Sequence, residues 1–166
     1  MLLPVQGSRR TVIGVMGAGD CDADTAALAR EVGRLVAERG AVLLCGGRGG
    51  VMEAAAAGAR GAGGLVIGVL PGRDARESPP NPHVEVALFT GLGDGRNYVN
   101  ACSSDALIAI GGRWGTLSEI ALAKKVGRPV VLLRSWDLPA DLPRAETAAE
   151  AVTLACEAAR EHGSSA

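Results

Sequence analysis

Apolar positions along this chain follow two rhythms. Short unbroken runs stand at Thr11–Met16, Ala41–Cys45, Leu65–Leu70, Leu107–Ile110 and Pro129–Leu133, and such runs predict strands buried on both faces. Between them, apolar residues recur every three or four positions. Ala27, Leu28, Val32, Leu35 and Val36 draw one stripe along a helix over 25–39. Asp22 or Asp24 can cap its start and Gly40 stops it. VMEAAAAGARGAGG, 51–64, predicts an alanine-rich helix. GLGDGRNYVNACSS, 91–104, predicts a turn and then a helix. Further helices are predicted over 117–126 and 146–161. The proline-rich loop PGRDARESPPNPH precedes a short, more polar strand at Val84–Thr90.

Strands alternating with helices, each strand a continuous apolar run, predict an α/β fold. The expected architecture is a three-layer αβα Rossmann-like sandwich around a mainly parallel sheet, with right-handed crossovers. One domain is expected over 1–166, with 1–9 and 162–166 as flexible ends.

Composition narrows the function classes. The formal net charge is −1, so no basic excess points to nucleic acid. No apolar run approaches the ~20 residues that span a bilayer, and the start, MLLPVQGSRR, lacks the apolar stretch of a signal peptide. Cys21, Cys45, Cys102 and Cys156 are widely spaced and only His83 and His162 could assist them, so no metal site is expected. Free thiols and a cytoplasmic location are the expectation. Aromatics make up 2% of the chain, so the core must be built from small aliphatics. Met16 and Met52 read as core fillers.

The 24 glycines change the picture, because they gather where strands end. GAG holds Gly17 and Gly19, GGRGG holds Gly46, Gly47, Arg48 and Gly49, and GGRWG holds Gly111, Gly112, Arg113, Trp114 and Gly115, with Thr116 after it. In open parallel sheets ligands bind beyond the carboxyl ends of the strands. Glycine there lets backbone N–H groups approach a ligand, and a following helix adds its positive end. Three such loops make a phosphate or similar anion the expected guest. Tight strand-to-helix turns are the alternative reading. GAGDCD is not GxGxxG, the third strand ends at Pro71 with no acid for a ribose diol, and no loop reads GxxxxGK[ST]. A P-loop NTPase is excluded and an NAD-linked oxidoreductase is poorly supported.

Gly46–Gly72 resembles the first signature of the LOG-like ("lonely guy") Rossmann proteins, often mislabelled lysine decarboxylases, and GGRWGTLSE, 111–119, resembles their second, usually written PGGxGTxxE. Within that superfamily the chain is most similar to the short proteins related to molybdenum cofactor carriers. The resemblance implies a phosphoribohydrolase that cleaves the N-glycosidic bond of nucleoside 5′-monophosphates and needs no cofactor. Its alternative is a non-catalytic carrier of the molybdenum cofactor, a pterin with a terminal phosphate. It also implies a homo-oligomer, dimer or tetramer. The key pair of the LOG enzymes falls on Arg96 and Glu119. The motif's proline is Gly111 here, its second glycine is Arg113, and Asp94 and Gly95 stand where the family has a histidine.

A carboxylate at 119 can stabilise oxocarbenium character on a sugar and position a water. Arg96 could bind phosphate or pair with Glu119. Otherwise Glu119 is a first-turn acid on the helix dipole and Arg96 a solvated arginine. Thr116 is read as a helix cap that can also offer its hydroxyl to a phosphate. Trp114 could stack on a base or pterin, or cover an oligomer contact. Arg48 is an anion contact or a solvated loop residue. Asn97 and Asn100 could bond a ligand or cap a helix. Lys124 and Lys125 read as a helix face.

Overall fold

The computed structural model describes residues 9–138 and 141–164. Among them the chain forms seven strands: β1 (Val12–Gly17), β2 (Val42–Cys45), β3 (Val66–Leu70), β4 (Val86–Phe89), β5 (Ala106–Ile110), β6 (Val130–Leu133) and β7 (Arg144–Ala145). They make one sheet in the order β4-β3-β2-β1-β5-β6-β7, and every pairing is parallel. The helices are α1 (Ala23–Glu38), α2 (Val51–Gly61), α3 (Arg96–Ser103), α4 (Trp114–Lys125) and α5 (Ala148–Ser164).

Side-chain alternation along the strands builds the two outer layers. Ile13, Val15, Leu43, Cys45, Ile108 and Ile110 point to one face, where α1, α2 and α5 lay down Val32, Val36, Ala55, Ala59 and Ala151. Met16, Leu44, Leu107, Ala109 and Leu132 point to the other, against Ala101 of α3 and Ile120 and Ala123 of α4. The expected αβα sandwich is therefore present. Small residues set the closeness of α1 to α2. A Cβ on Gly33 would fall 1.9 Å from the Ala55 carbonyl oxygen, and one on Gly58 would fall 1.9 Å from that of Arg30. Main chain meets main chain at both crossings, which only glycine permits.

Differences from the expected elements lie at edges. β7 was not foreseen; two residues carry no periodicity, and tertiary pairing with β6 makes the strand. α4 begins at Trp114, three residues before the expected start, because Gly111 and Gly112 take positive φ of 54° and 110° and complete the turn early. Thr116 therefore lies inside the first turn, and the N-cap position belongs to Arg113, whose side chain makes no cap hydrogen bond. Asp22, not Asp24, caps α1 by accepting from Thr25 N at 2.8 Å. Of the ends expected to be flexible, Arg9 donates to Asp105 and α5 continues to Ser164; 1–8 and 165–166 lie outside the described residues.

Strand order reverses between β1 and β5: the chain runs outward from β1 through β2 and β3 to β4, then returns to β1's other side. That switch point opens a crevice at the carboxyl edge of the sheet, where α/β folds bind ligands.

Candidate functional site

A cavity of about 430 Å³ occupies the crevice. Its walls come from the end of β1 and the loop after it (Met16–Asp20), from the loop after β2 (Arg48, Gly49), and from Met52 of α2. Asp94, Arg96 and Asn97 close a third side, and Arg113, Gly115, Thr116 and Glu119 the fourth. Nine of the residues singled out from sequence thus meet around one space: Gly17, Gly19, Arg48, Gly49, Arg96, Arg113, Gly115, Thr116 and Glu119.

Gly46, Gly47, Gly111, Gly112 and Trp114 are not in that lining. Gly46 and Gly47 are buried behind it. Gly111 and Gly112 face a separate hollow shared with Arg134, Ser135 and Trp136. Trp114 is 76% exposed and leans on Trp136, ring centroids 5.3 Å apart and tilted by 41°. Trp114 thus lies outside the cavity lining, with most of its indole exposed.

The three strand-to-helix junctions are not equivalent. The first turn of α1 is capped by Asp22. At α2 the Val51 N–H donates to Ala18 O at 3.0 Å, so the loop after β1 already occupies that end. At α4 the first bonded amide is Leu117 N, which donates to Arg113 O. The amides of Trp114, Gly115 and Thr116 have no protein acceptor among the described residues. An uncapped helix start presents free N–H groups and the positive end of the dipole. Thr116, buried beside them, adds a hydroxyl.

Charge on the walls is mixed. Arg48, Arg96 and Arg113 face Asp20, Asp94 and Glu119. Arg113 Nη2 pairs with Asp20 Oδ2 at 3.0 Å, spanning the mouth from one loop to another, with both side chains exposed (74% and 71%). Arg48 makes no ion pair among the described residues.

Glu119 lies one helical turn below Thr116 and is only 6% exposed. Asn100 of α3, fully buried, donates Nδ2–H to Glu119 Oε1 at 2.8 Å. Burial drives the Glu119 carboxyl from its ordinary 4.5 up to about 7, against the Asn100 hydrogen bond and the Arg96 charge, which both pull it down. The expected Arg96–Glu119 pair is not made. Arg96 Nη1 donates to two main-chain carbonyls, Gly46 O and Val69 O, both at 2.5 Å. Burial lowers the Arg96 pKa and the Glu119 charge opposes that fall. The two side chains feel each other across the cavity without touching.

Sequence reading missed Asp20 and Asp94, which are ordinary loop acids until the fold aims them inward. Met16 and Met52 are core residues as expected and also line the cavity. Asn97 reaches Ser118 Oγ at 2.9 Å, tying α3 to α4. The spacing of Asn97 and Asn100 on one helix was the available signal. Lys124 pairs with Asp141 on the surface. The four cysteines are free, and no cluster of metal-ligating side chains exists among the described residues. Nor is any described helix long and apolar enough to cross a membrane.

The family sequence model described as LDcluster4, the SLOG cluster4 family, matches residues 10–162. Among solved structures, the molybdenum cofactor binding protein of Rippkaea orientalis is 39% identical over 91% of this chain and 98% of its own, with a TM-score of 0.84. The molybdenum cofactor carrier protein of Chlamydomonas reinhardtii is 39% identical over 90% of this chain and 98% of its own, with a TM-score of 0.82. The cytokinin riboside 5′-monophosphate phosphoribohydrolase of Mycobacterium tuberculosis is 31% identical over 133 residues, 76% of this chain and 71% of that protein.

Proposed function

The chain belongs to the SLOG cluster4 family, and from that premise we propose that it binds a small phosphorylated molecule, a pterin phosphate of the molybdenum cofactor type, and acts as its carrier. One observation bears most of the weight: the first three amides of α4 have no acceptor among the described residues, and two of the residues that carry them, Gly115 and Thr116, line the cavity. A phosphate seated there receives main-chain hydrogen bonds and the helix dipole. The Thr116 hydroxyl and the Arg113 guanidinium complete the seat. A cavity of about 430 Å³ falls in the range that holds small organic ligands. At the start of α4 the lining offers amides, a hydroxyl and a cation, with Glu119 one turn further along, which fits a phosphate-bearing cargo. The two solved relatives named for the molybdenum cofactor support the same reading.

A second reading has its own support. Glu119 and Arg96 share the cavity with the phosphate seat, and Glu119 titrates near neutrality. If the guest is a nucleoside 5′-monophosphate, ionised Glu119 is suited to stabilise positive charge on the ribose and to direct water at the anomeric carbon, releasing base and ribose 5-phosphate. The relative from Mycobacterium tuberculosis carries that activity in its name. In this reading no cofactor is needed. In both, the protein works in the cytoplasm as a homo-oligomer, without nucleic acid.

Titration calorimetry with AMP, with a pterin phosphate and with inorganic phosphate tests the shared claim. Binding of phosphorylated guests but not of adenosine or the bare pterin is expected. Base release from AMP, abolished by Glu119→Gln, selects hydrolysis; pterin phosphate binding with no turnover selects the carrier. A protein that binds none of the three disproves both.

A further inference from the structure

Gly46 opens the glycine loop after β2, yet it does not reach the cavity. Its main chain takes no left-handed conformation, so the backbone does not demand glycine there. Space does. A Cβ at 46 would sit 2.4 Å from Arg96 Nη1 and 2.6 Å from Met52 Sδ. What approaches this bare Cα is a guanidinium from α3. One nitrogen of that guanidinium, Nη1, bridges the carbonyl of Gly46, after β2, to that of Val69, in β3. Nε and Nη2 have no protein partner among the described residues, and Arg96 lines the cavity.

From this geometry we infer that Gly46 is a positioning residue: it holds Arg96 by its Nη1 against the strand ends, so that the Nε–Nη2 edge stays free to clamp an oxyanion of the guest. The edge formed by Nε–H and one Nη–H is the one that grips phosphate or carboxylate in two parallel hydrogen bonds. Tethering the third nitrogen removes the rotamer freedom that an arginine ordinarily loses on binding. The glycine loop after β2 therefore serves the guest at one remove. It seats the arginine, whereas the amides of α4 meet the phosphate directly. Alanine at 46 removes no contact with the guest, and its effect has to travel through the side chains its Cβ would displace, Arg96 and Met52. The functional half of this inference rests on the phosphate-binding reading above; the seating of Arg96 does not.

Two measurements separate them. Nitrogen-15 NMR of the ligand-free protein reads the tether: the Arg96 Nη signals are expected resolved by slow guanidinium rotation, and collapsed to one in Gly46→Ala. A guanidinium that rotates freely in the wild type, or one equally restrained in Gly46→Ala, overturns the inference. Titration with inorganic phosphate and with AMP reads the clamp. Gly46→Ala and Arg96→Ala are each expected to weaken binding about tenfold or more, and the double variant no further than Arg96→Ala alone. Independent, additive losses would overturn it. Should Gly46→Ala fail to fold, the Gly46→Ala/Met52→Ala/Arg96→Ala protein, which clears both side chains that the added Cβ would meet, is expected to fold; its failure would count against the seat. If the wild type binds neither probe, the binding proposal falls while the NMR result still decides the seating.

Discussion

Asn100 Nδ2 donates to Glu119 Oε1 at 2.8 Å, and the Asn100 Oδ1 on the same amide is buried without a partner among the described residues. A buried acceptor left unpaired costs roughly 1–3 kcal/mol. The amide is thus kept in an orientation that favours the ionised carboxylate, against the burial that favours the neutral one. Asn100→Ala is expected to raise the Glu119 pKa further. Carbon-13 NMR of the glutamate carboxyls, with Glu119→Gln to assign the signal, measures the change, and a fall would contradict it.

Glu119 also makes stability depend on pH. Its pKa is raised on folding, so the folded protein holds the proton more tightly than the unfolded chain does. The stabilisation is complete below the unfolded value of 4.5 and is lost as pH climbs to about 7. The loss amounts to about 3 kcal/mol. Chemical denaturation between pH 4.5 and 7 should show Glu119→Gln losing less stability than the wild type over that window. Parallel curves would mean that Glu119 titrates normally.

The Arg113–Asp20 pair spans the mouth but is exposed at both ends. Such pairs contribute about 0–1 kcal/mol, so Arg113→Ala should scarcely move the melting temperature. Its effect should fall on the guest. Phosphate affinity is expected to drop, and Asp20→Asn to raise it by releasing Arg113 from its internal rival. Both differences should shrink as salt increases. Calorimetry at two ionic strengths reads all three effects.

Gly112, in the loop after β5, and Gly115, in the first turn of α4, predict opposite outcomes. Gly112 has φ 110°, and its added Cβ would lie 2.4 Å from Thr116 Cβ. Gly112→Ala is expected to cost about 1–3 kcal/mol from backbone strain alone. A Cβ on Gly115 meets nothing within 4 Å. Gly115→Ala should stabilise the protein by about 0.5–1 kcal/mol while crowding the cavity it lines. Thermal melts paired with phosphate titrations distinguish a folding glycine from a binding one.

Val86, Leu88, Phe89, Leu92 and Tyr98 leave apolar surface exposed along edge strand β4 and the start of α3. Covered by a second copy, that surface would explain a homo-oligomer. Light scattering is expected to give a mass above 16.8 kDa, and Leu88→Asp to lower it. A monomeric wild type would refute the expectation.

Much of this fold was legible because the strands are buried on both faces. Runs such as AVLLC and PVVLL have no polar face to hide, and their type is unmistakable in one dimension. Arg144–Ala145 had no such signal, since only β6 beside it makes it a strand. Glycines after strands pointed to the edge of the sheet where the cavity lies but not to what each glycine is for. That the Ala18 carbonyl takes up the first amide of α2 is a contact between loops far apart in sequence. Nor could spacing show Arg96 turned onto the strand ends and away from Glu119. Both outcomes depend on which loops the sheet brings together.

The fused crossing of α1 and α2 reaches beyond packing. Both helices follow loops that wall the cavity, and the Val51–Ala18 hydrogen bond joins those loops as well. Half of the crevice is consequently braced as one unit, two loops and the two helices behind them. The other half is walled from α3 and α4, which the Asn97–Ser118 and Asn100–Glu119 hydrogen bonds tie together. Glu119, the acid whose pKa burial raises, is thus held at the seam between those two helices.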